Sequence, residues 1–253
     1  MQKVLEVNWA YPIGSVVIVS LISFVGLFTI SLRETALKRW LLLLVSFAAG
    51  ALLGDAFLHL LPELVEERQG FPVSASITVL AGLILFFVLE KILHWHHAHL
   101  PTEEVLHPVA FTNLIGDGLH NLIDGAIIAG AFLSSTKLGI ATTIAVALHE
   151  IPQEIGDFGI LLHAGLKPRR ALALNFVTAL AAVVGAAITL VASSAIEGLE
   201  MLLIPFTIGG FLYIAATDLI PELHKEPEAG KSALQTVALL VGVGVMALLL
   251  VFE

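Results

Sequence analysis

Two stretches of this chain carry side chains that bind metal ions or protons, at spacings that place them on one face of a helix. The first reads Asn113-Leu-Ile-Gly-Asp117-Gly-Leu-His120-Asn121-Leu-Ile-Asp124-Gly. Positions 113, 117, 120/121 and 124 recur every three or four residues and so form a single stripe. The second reads His149-Glu-Ile-Pro-Gln153-Glu-Ile-Gly-Asp157, in which 149/150, 153/154 and 157 share a face and Thr142 lies two turns earlier. His120/Asp124 and His149/Gln153 are i,i+4 pairs, so each helix presents two ligand atoms one turn apart. Two such helices facing each other could offer two imidazoles, a carboxylate and an amide oxygen to one cation. Neutral imidazole and carboxylate suit Zn²⁺, Mn²⁺ and Fe²⁺, and a chain without cysteine has no thiolates for a tight structural zinc site. A second set, Asn121, Glu150 and Glu154, is offset by one residue and could hold a neighbouring ion or a proton.

The elements that must position these groups lie in lipid. Of 253 residues, 58% are hydrophobic and only 13% charged, against roughly a quarter charged in an ordinary soluble domain, which excludes a water-soluble globule. A formal charge of −9, with no basic patch, argues against a nucleic-acid partner. A membrane span needs about 20 mostly apolar residues. Eight candidates follow one another at roughly 12–32, 40–62, 72–90, 108–133, 139–163, 170–195, 202–222 and 233–252. The connections are short, several marked by Pro or Gly, and leave no room for a soluble domain. The reading is therefore an all-α integral membrane protein with one transmembrane domain over 1–253, its first apolar run a retained span and not a signal peptide.

Basic residues set the orientation. Arg33, Lys38, Arg39, Lys91, Lys167, Arg169, Arg170, Lys225 and Lys231 fall in the odd-numbered connections, against Lys3, Arg68 and Lys137 on the other side. Both termini are expected outside and the nine-residue side in the cytoplasm. The compact, loop-poor form favours a bacterial cytoplasmic membrane.

Spans 1, 3, 6 and 8 hold only small polar groups such as Ser23, Thr78, Asn175, Thr178 and Gln235 and read as scaffold. Spans 2, 4, 5 and 7 carry Asp55 and His59; Asp117, His120 and Asp124; His149, Glu150, Glu154 and Asp157; and Asp218 and Glu222. The three carboxylates of span 5 would cost roughly 8–10 kcal/mol facing lipid, so these four spans should line a polar pathway. Scaffold, polar and scaffold spans recur in that order from either end around spans 4 and 5, the placement that inverted transporter repeats produce. Pro152 lacks its N–H and should loosen span 5 beside the ligands. The connection after span 3, around 91–107, holds His94, His96, His97 and His99, a cytoplasmic tract able to collect metal.

Enzyme chemistry fits less well. His149-Glu150 begins the metalloprotease pattern HExxH, but Gln153 stands where the second His belongs, and Pro152 interrupts the helix that would present both. A metal sensor would need one buried site, whereas polar groups here are spread along four spans. The chain reads as a carrier with no prosthetic group. Its partners are divalent ions and the lipid bilayer; a homodimer is compatible with the sequence, which leaves the oligomeric state open.

The motifs His120-Asn-Leu-Ile-Asp124-Gly and His149-Glu-Ile-Pro-Gln-Glu-Ile-Gly-Asp157-Phe resemble the two signature helices of the ZIP (Zrt-, Irt-like protein) metal-ion transporters. Gly54-Asp-Ala-Phe-Leu-His-Leu-Leu-Pro-Glu63 and the stretch from Phe206 to Glu222 extend the resemblance over the whole chain. It implies a binuclear metal centre halfway across the membrane and movement of divalent cation, Zn²⁺ foremost with Fe²⁺, Mn²⁺ and Cd²⁺ as alternatives, into the cytoplasm. Carried over by position, His120, Asp124, His149 and Gln153 form the first site, Asn121 and Glu150 contribute to the second, and Asp55, His59, Asp218 and Glu222 line the routes in and out. Asp117, Glu154 and Asp157 extend the polar stripes. Two departures stand out: many members have His where this chain has Gln153, and span 6 has no carboxylate to complete a second site.

Overall fold

A computed structural model describes residues 8–29, 34–98, 106–196 and 198–252. Every regular element among them is helical. Eight rods follow: α1 (Ala10–Phe28), α2 (Trp40–Arg68, its first turns reaching back to Glu34), α3 (Val73–Ala98), α4 (Leu106–Ser134), α5 (Thr136–His163), α6 (Pro168–Ala195), α7 (Leu199–His224) and α8 (Ala229–Leu249). Six of them are long and apolar enough to cross a membrane; α4 and α5 match them in length, but the stripes of Asp, Glu, His and Asn lower their apolarity. Ile77, Leu80, Ile84 and Phe87 on α3 and Val237, Leu240, Val241 and Leu248 on α8 are exposed. In water such continuous apolar faces would aggregate, whereas against acyl chains they cost nothing.

The helices associate as two bundles, α1 with α4, α5 and α6, and α2 with α3, α7 and α8, meeting where α2 runs along α5 and α4 along α7. With lipid outside, burial of apolar surface does not drive helix association, so close backbone approach must. Gly125 faces the Ala182 carbonyl and Gly185 the Leu122 carbonyl across α4 and α6, so near that any Cβ would overlap the oxygen. Gly50 and Gly242 do the same across α2 and α8, and Gly82 and Gly209 across α3 and α7.

These pairings keep their form when α1–α3 exchange places with α6–α8, since the α2/α8 pair becomes α7/α3, the exchange an inverted repeat would give. The residues agree locally: Leu61-Pro62-Glu63-Leu64 and Ile220-Pro221-Glu222-Leu223 each follow a π-helical segment, Ala56–Leu60 in α2 and Ile214–Leu219 in α7. Pro62 and Pro221 cannot donate to the carbonyls four residues back, Leu58 and Thr217, which lie inside those segments, so the wider turn forms there. The loosening expected at Pro152 takes a milder form, since α5 continues as α-helix through it. α3 also runs further than its apolar span, to Ala98, so that His94, His96 and His97 belong to a helix end and not a loop. Their side chains, and His99 altogether, lie outside the described residues.

Candidate metal centre

The 3.6-residue repeat turns the polar stripe of α4 onto that of α5, where the two helices pack side by side. His120, Asp124, His149 and Glu150 each bring a ligand atom to one point, all four atoms within 4.8 Å of one another. The two imidazole Nε2 atoms are 3.3 Å apart. Asp124 Oδ2 lies 3.1 Å from His149 Nε2 and 3.6 Å from His120 Nε2, and Glu150 Oε1 is 3.6 Å from both. Asp124, His149 and Glu150 are buried, and His120 is the member that reaches a cavity.

Both carboxylate oxygens of Asp124 and Oε1 of Glu150 are buried without a hydrogen-bond donor. Buried polar groups are almost always satisfied, so such a cluster marks a place for something positive. His149 Nδ1 lies 3.3 Å from the Ala145 carbonyl, which orients the ring so that Nε2 faces the cluster. Two carboxylates and two neutral imidazoles around one divalent ion form an electrically neutral set, the arrangement a low-dielectric interior tolerates best.

A second polar layer continues from the quartet. Asn121 donates to Asp117 Oδ1 at 2.8 Å, Thr178 Oγ1 of α6 donates to Asp117 Oδ2, and Asn175 of α6 donates to Glu154 Oε2. The Asn121 and Asn175 amide oxygens are buried without a donor. Glu150, which the sequence spacing groups with Asn121, also lies in the quartet. Gln153 lies on the wall of a cavity of about 250 Å³ that also holds His120, Asn113, Asp117, Asp157, Glu90 and Asp218. Tyr213 of α7 donates to Glu90 of α3 beside it. Leu52, Leu60, Ile127, Ile128 and Val146 belong to one buried apolar cluster. A second cavity of about 440 Å³ is lined by His59, Glu63, Glu66 and Lys137. His59 Nε2 donates to the Met246 carbonyl (3.0 Å), and Thr142 donates to Asp55 Oδ2 (3.0 Å). Glu222 sits farther out, half exposed and paired with Lys225.

The sequence profile described as "ZIP Zinc transporter" matches residues 6–108 and 101–250, nearly the whole chain. The chain belongs to the ZIP family. Among curated relatives in this family it is similar to zinc transporter SLC39A7 of Rattus norvegicus, 31% identical over 95% of this chain and 72% of the relative. It is also similar to zinc transporter ZIP13 of Pongo abelii, 37% identical over 87% of this chain and 70% of the relative, and to zinc transporter YKE4 of Saccharomyces cerevisiae, 37% identical over 82% and 70%. Membership makes the chain an integral membrane protein of helical fold.

Sequence reasoning left several contributors unassigned. Asn175 and Thr178 were visible as small polar groups in an apolar span, but nothing local says that they meet Glu154 and Asp117. Glu90, Tyr213 and the phenylalanines around the two histidines reach the site only through tertiary packing.

Proposed function

We propose that this ZIP-family protein carries Zn²⁺ across the membrane into the cytoplasm, the His120, Asp124, His149 and Glu150 quartet being the ion's midway site. The observation that carries this reading is the quartet itself: two imidazole nitrogens and two buried carboxylates, with Asp124 Oδ1, Asp124 Oδ2 and Glu150 Oε1 lacking a donor, converge on one point between two helices. The nitrogen and oxygen donor set favours Zn²⁺ and admits Fe²⁺, Mn²⁺ and Cd²⁺. Asn121, Gln153 and Glu154 form the next stage of the route, and Asp117 and Asp157 extend it. Asp218 and Glu222 line its cytoplasmic end, Asp55 and His59 its outer end.

The cavity that reaches His120 is lined by residues of α3 and α4 near the end that the distribution of basic residues assigns to the cytoplasm, which supports inward release. Rocking of one bundle against the other would exchange the open end. Carboxylates vacated by the ion can accept protons. In this reading residues 1–253 act as one transporting unit, both termini lie outside, and His94, His96, His97 and His99 collect metal on the cytoplasmic side. The compact, loop-poor chain supports a bacterial cytoplasmic membrane as its home; the relatives named above come from animals and yeast.

Purified protein in liposomes loaded with a zinc-sensitive dye tests the reading. Zinc-dependent fluorescence well above that of protein-free liposomes is expected under an inward gradient, and no flux under a gradient of either direction would overturn it.

A further inference from the structure

Four aromatic rings stand in file across the candidate site. Phe86 of α3 meets His120 edge to face, with centroids 6.3 Å apart and planes at 88°. His120 meets His149 at 5.5 Å and 70°, and His149 meets Phe211 of α7 at 6.4 Å and 66°. Both imidazoles belong to one bundle and both phenyl rings to the other, so the ligands are flanked by apolar walls that their own helices do not supply. Phe86 is buried yet forms part of the wall of the inner cavity next to His120.

Phe86 occupies this place because of Gly210. A Cβ built on Gly210 would have three ring atoms of Phe86 as its nearest neighbours, Cε2 at 2.6 Å and Cδ2 and Cζ at 3.1 Å. The ring therefore rests against the bare backbone of α7 at Gly210 while it meets His120 edge to face. Phe206, at 6.5 Å and 46°, supports it from the same helix. Of the four quartet members, His120 most needs an external brace. It is the one that reaches the cavity, and no backbone hydrogen bond among the described contacts orients its ring as Ala145 orients His149.

We propose that Phe86, seated on Gly210, is a positioning residue that holds the His120 imidazole with Nε2 aimed at the ion and keeps water off that ligand from the cavity side. This rests on the transport reading above and adds to it a residue that sets ion affinity without touching the ion. A T-shaped ring pair is worth roughly a two- to twelvefold factor in an equilibrium constant. Loss of the ring should therefore weaken ion binding by that amount while leaving turnover of the loaded carrier nearly unchanged.

The test uses the full chain in liposomes together with Co²⁺ absorption spectra of the purified protein, which report ligand number and symmetry at the metal. Phe86→Ala and Phe86→Leu should each raise the KM for Zn²⁺ roughly three- to tenfold, with Vmax per inserted protein within a factor of two, and weaken the visible Co²⁺ bands of a four-coordinate site. Phe86→Leu separates ring from bulk: wild-type KM and spectrum in that variant would overturn the proposal. Gly210→Ala pushes the ring from its seat and should raise KM in the wild-type background but add nothing to Phe86→Ala, because its nearest clashes are then gone. Equal effects of Gly210→Ala in both backgrounds, or a fall in Vmax at unchanged KM, would also overturn it. If the wild type itself moves no Zn²⁺, the transport reading fails; if it does and the variants match it, only the role of Phe86 fails.

Discussion

Replacing Asp124 by Asn should stabilise the metal-free protein and remove most of the stabilisation that zinc gives. Asp124 is fully buried and neither of its carboxylate oxygens has a donor. An unsatisfied buried polar group costs about 1–3 kcal/mol, and the amide keeps the shape, drops the charge and adds an N–H₂ beside Glu150 Oε1. In a chelating buffer Asp124→Asn should therefore be more stable than wild type by about 1–3 kcal/mol. Zinc at a hundred times its Kd adds about 2.7 kcal/mol to the wild type; if the variant's Kd rises a hundredfold, the same zinc adds only about 0.4 kcal/mol. The variant's advantage should thus narrow or invert as zinc is added. Thermal unfolding of the detergent-purified proteins, followed with chelator and across a zinc titration, reads both quantities. A variant less stable than wild type in chelator, or one that keeps the full zinc shift, would refute the argument that this carboxylate is held uncompensated for the ion.

Gly125→Ala should lower the unfolding temperature through overpacking worth about 1–3 kcal/mol, because its methyl meets the Ala182 carbonyl, whereas Gly156→Ala, with nothing near its Cβ, should be neutral; size-exclusion profiles and melting curves of the two compare them directly. Asn175→Leu leaves Glu154 without its α6 donor and should destabilise by about 1–3 kcal/mol, measured by the same melting assay. Glu222→Gln breaks a solvent-exposed pair with Lys225, worth at most about 1 kcal/mol, so the melting curve should match wild type; a clear drop in unfolding temperature would refute the exposed placement of that pair.

The sequence makes the helices and much of the quartet legible for one reason: a polar group in a membrane span is costly, so its presence is informative and its spacing gives its face. His120, Asp124 and His149 were readable in this way. Whether Glu150 joins His149 or stands apart from it is not legible locally, because adjacent residues point about 100° apart on a helix and the packing of α4 on α5 decides which of them faces the partner. The π-helical segments were invisible because nothing in Ala56–Leu60 or Ile214–Leu219 breaks a helix; their cause lies just downstream, at Pro62 and Pro221. The likeness of α2 to α7 hides in a four-residue match too short to stand out, and shows once a π-helical segment is found before each copy. Phe86, Glu90 and Tyr213 carry no local mark, since an aromatic or acidic residue near a span end looks like any interfacial one.

The most direct test of the central claim is zinc uptake into liposomes holding equal amounts of wild type or the His120→Ala/His149→Ala double variant, with Mn²⁺, Fe²⁺ and Cd²⁺ in parallel. The account predicts saturable uptake of Zn²⁺ by the wild type and a fall to the protein-free background in the folded double variant. Undiminished uptake by that variant would contradict it, because the ion would then cross without the two imidazoles that meet at the centre of the site.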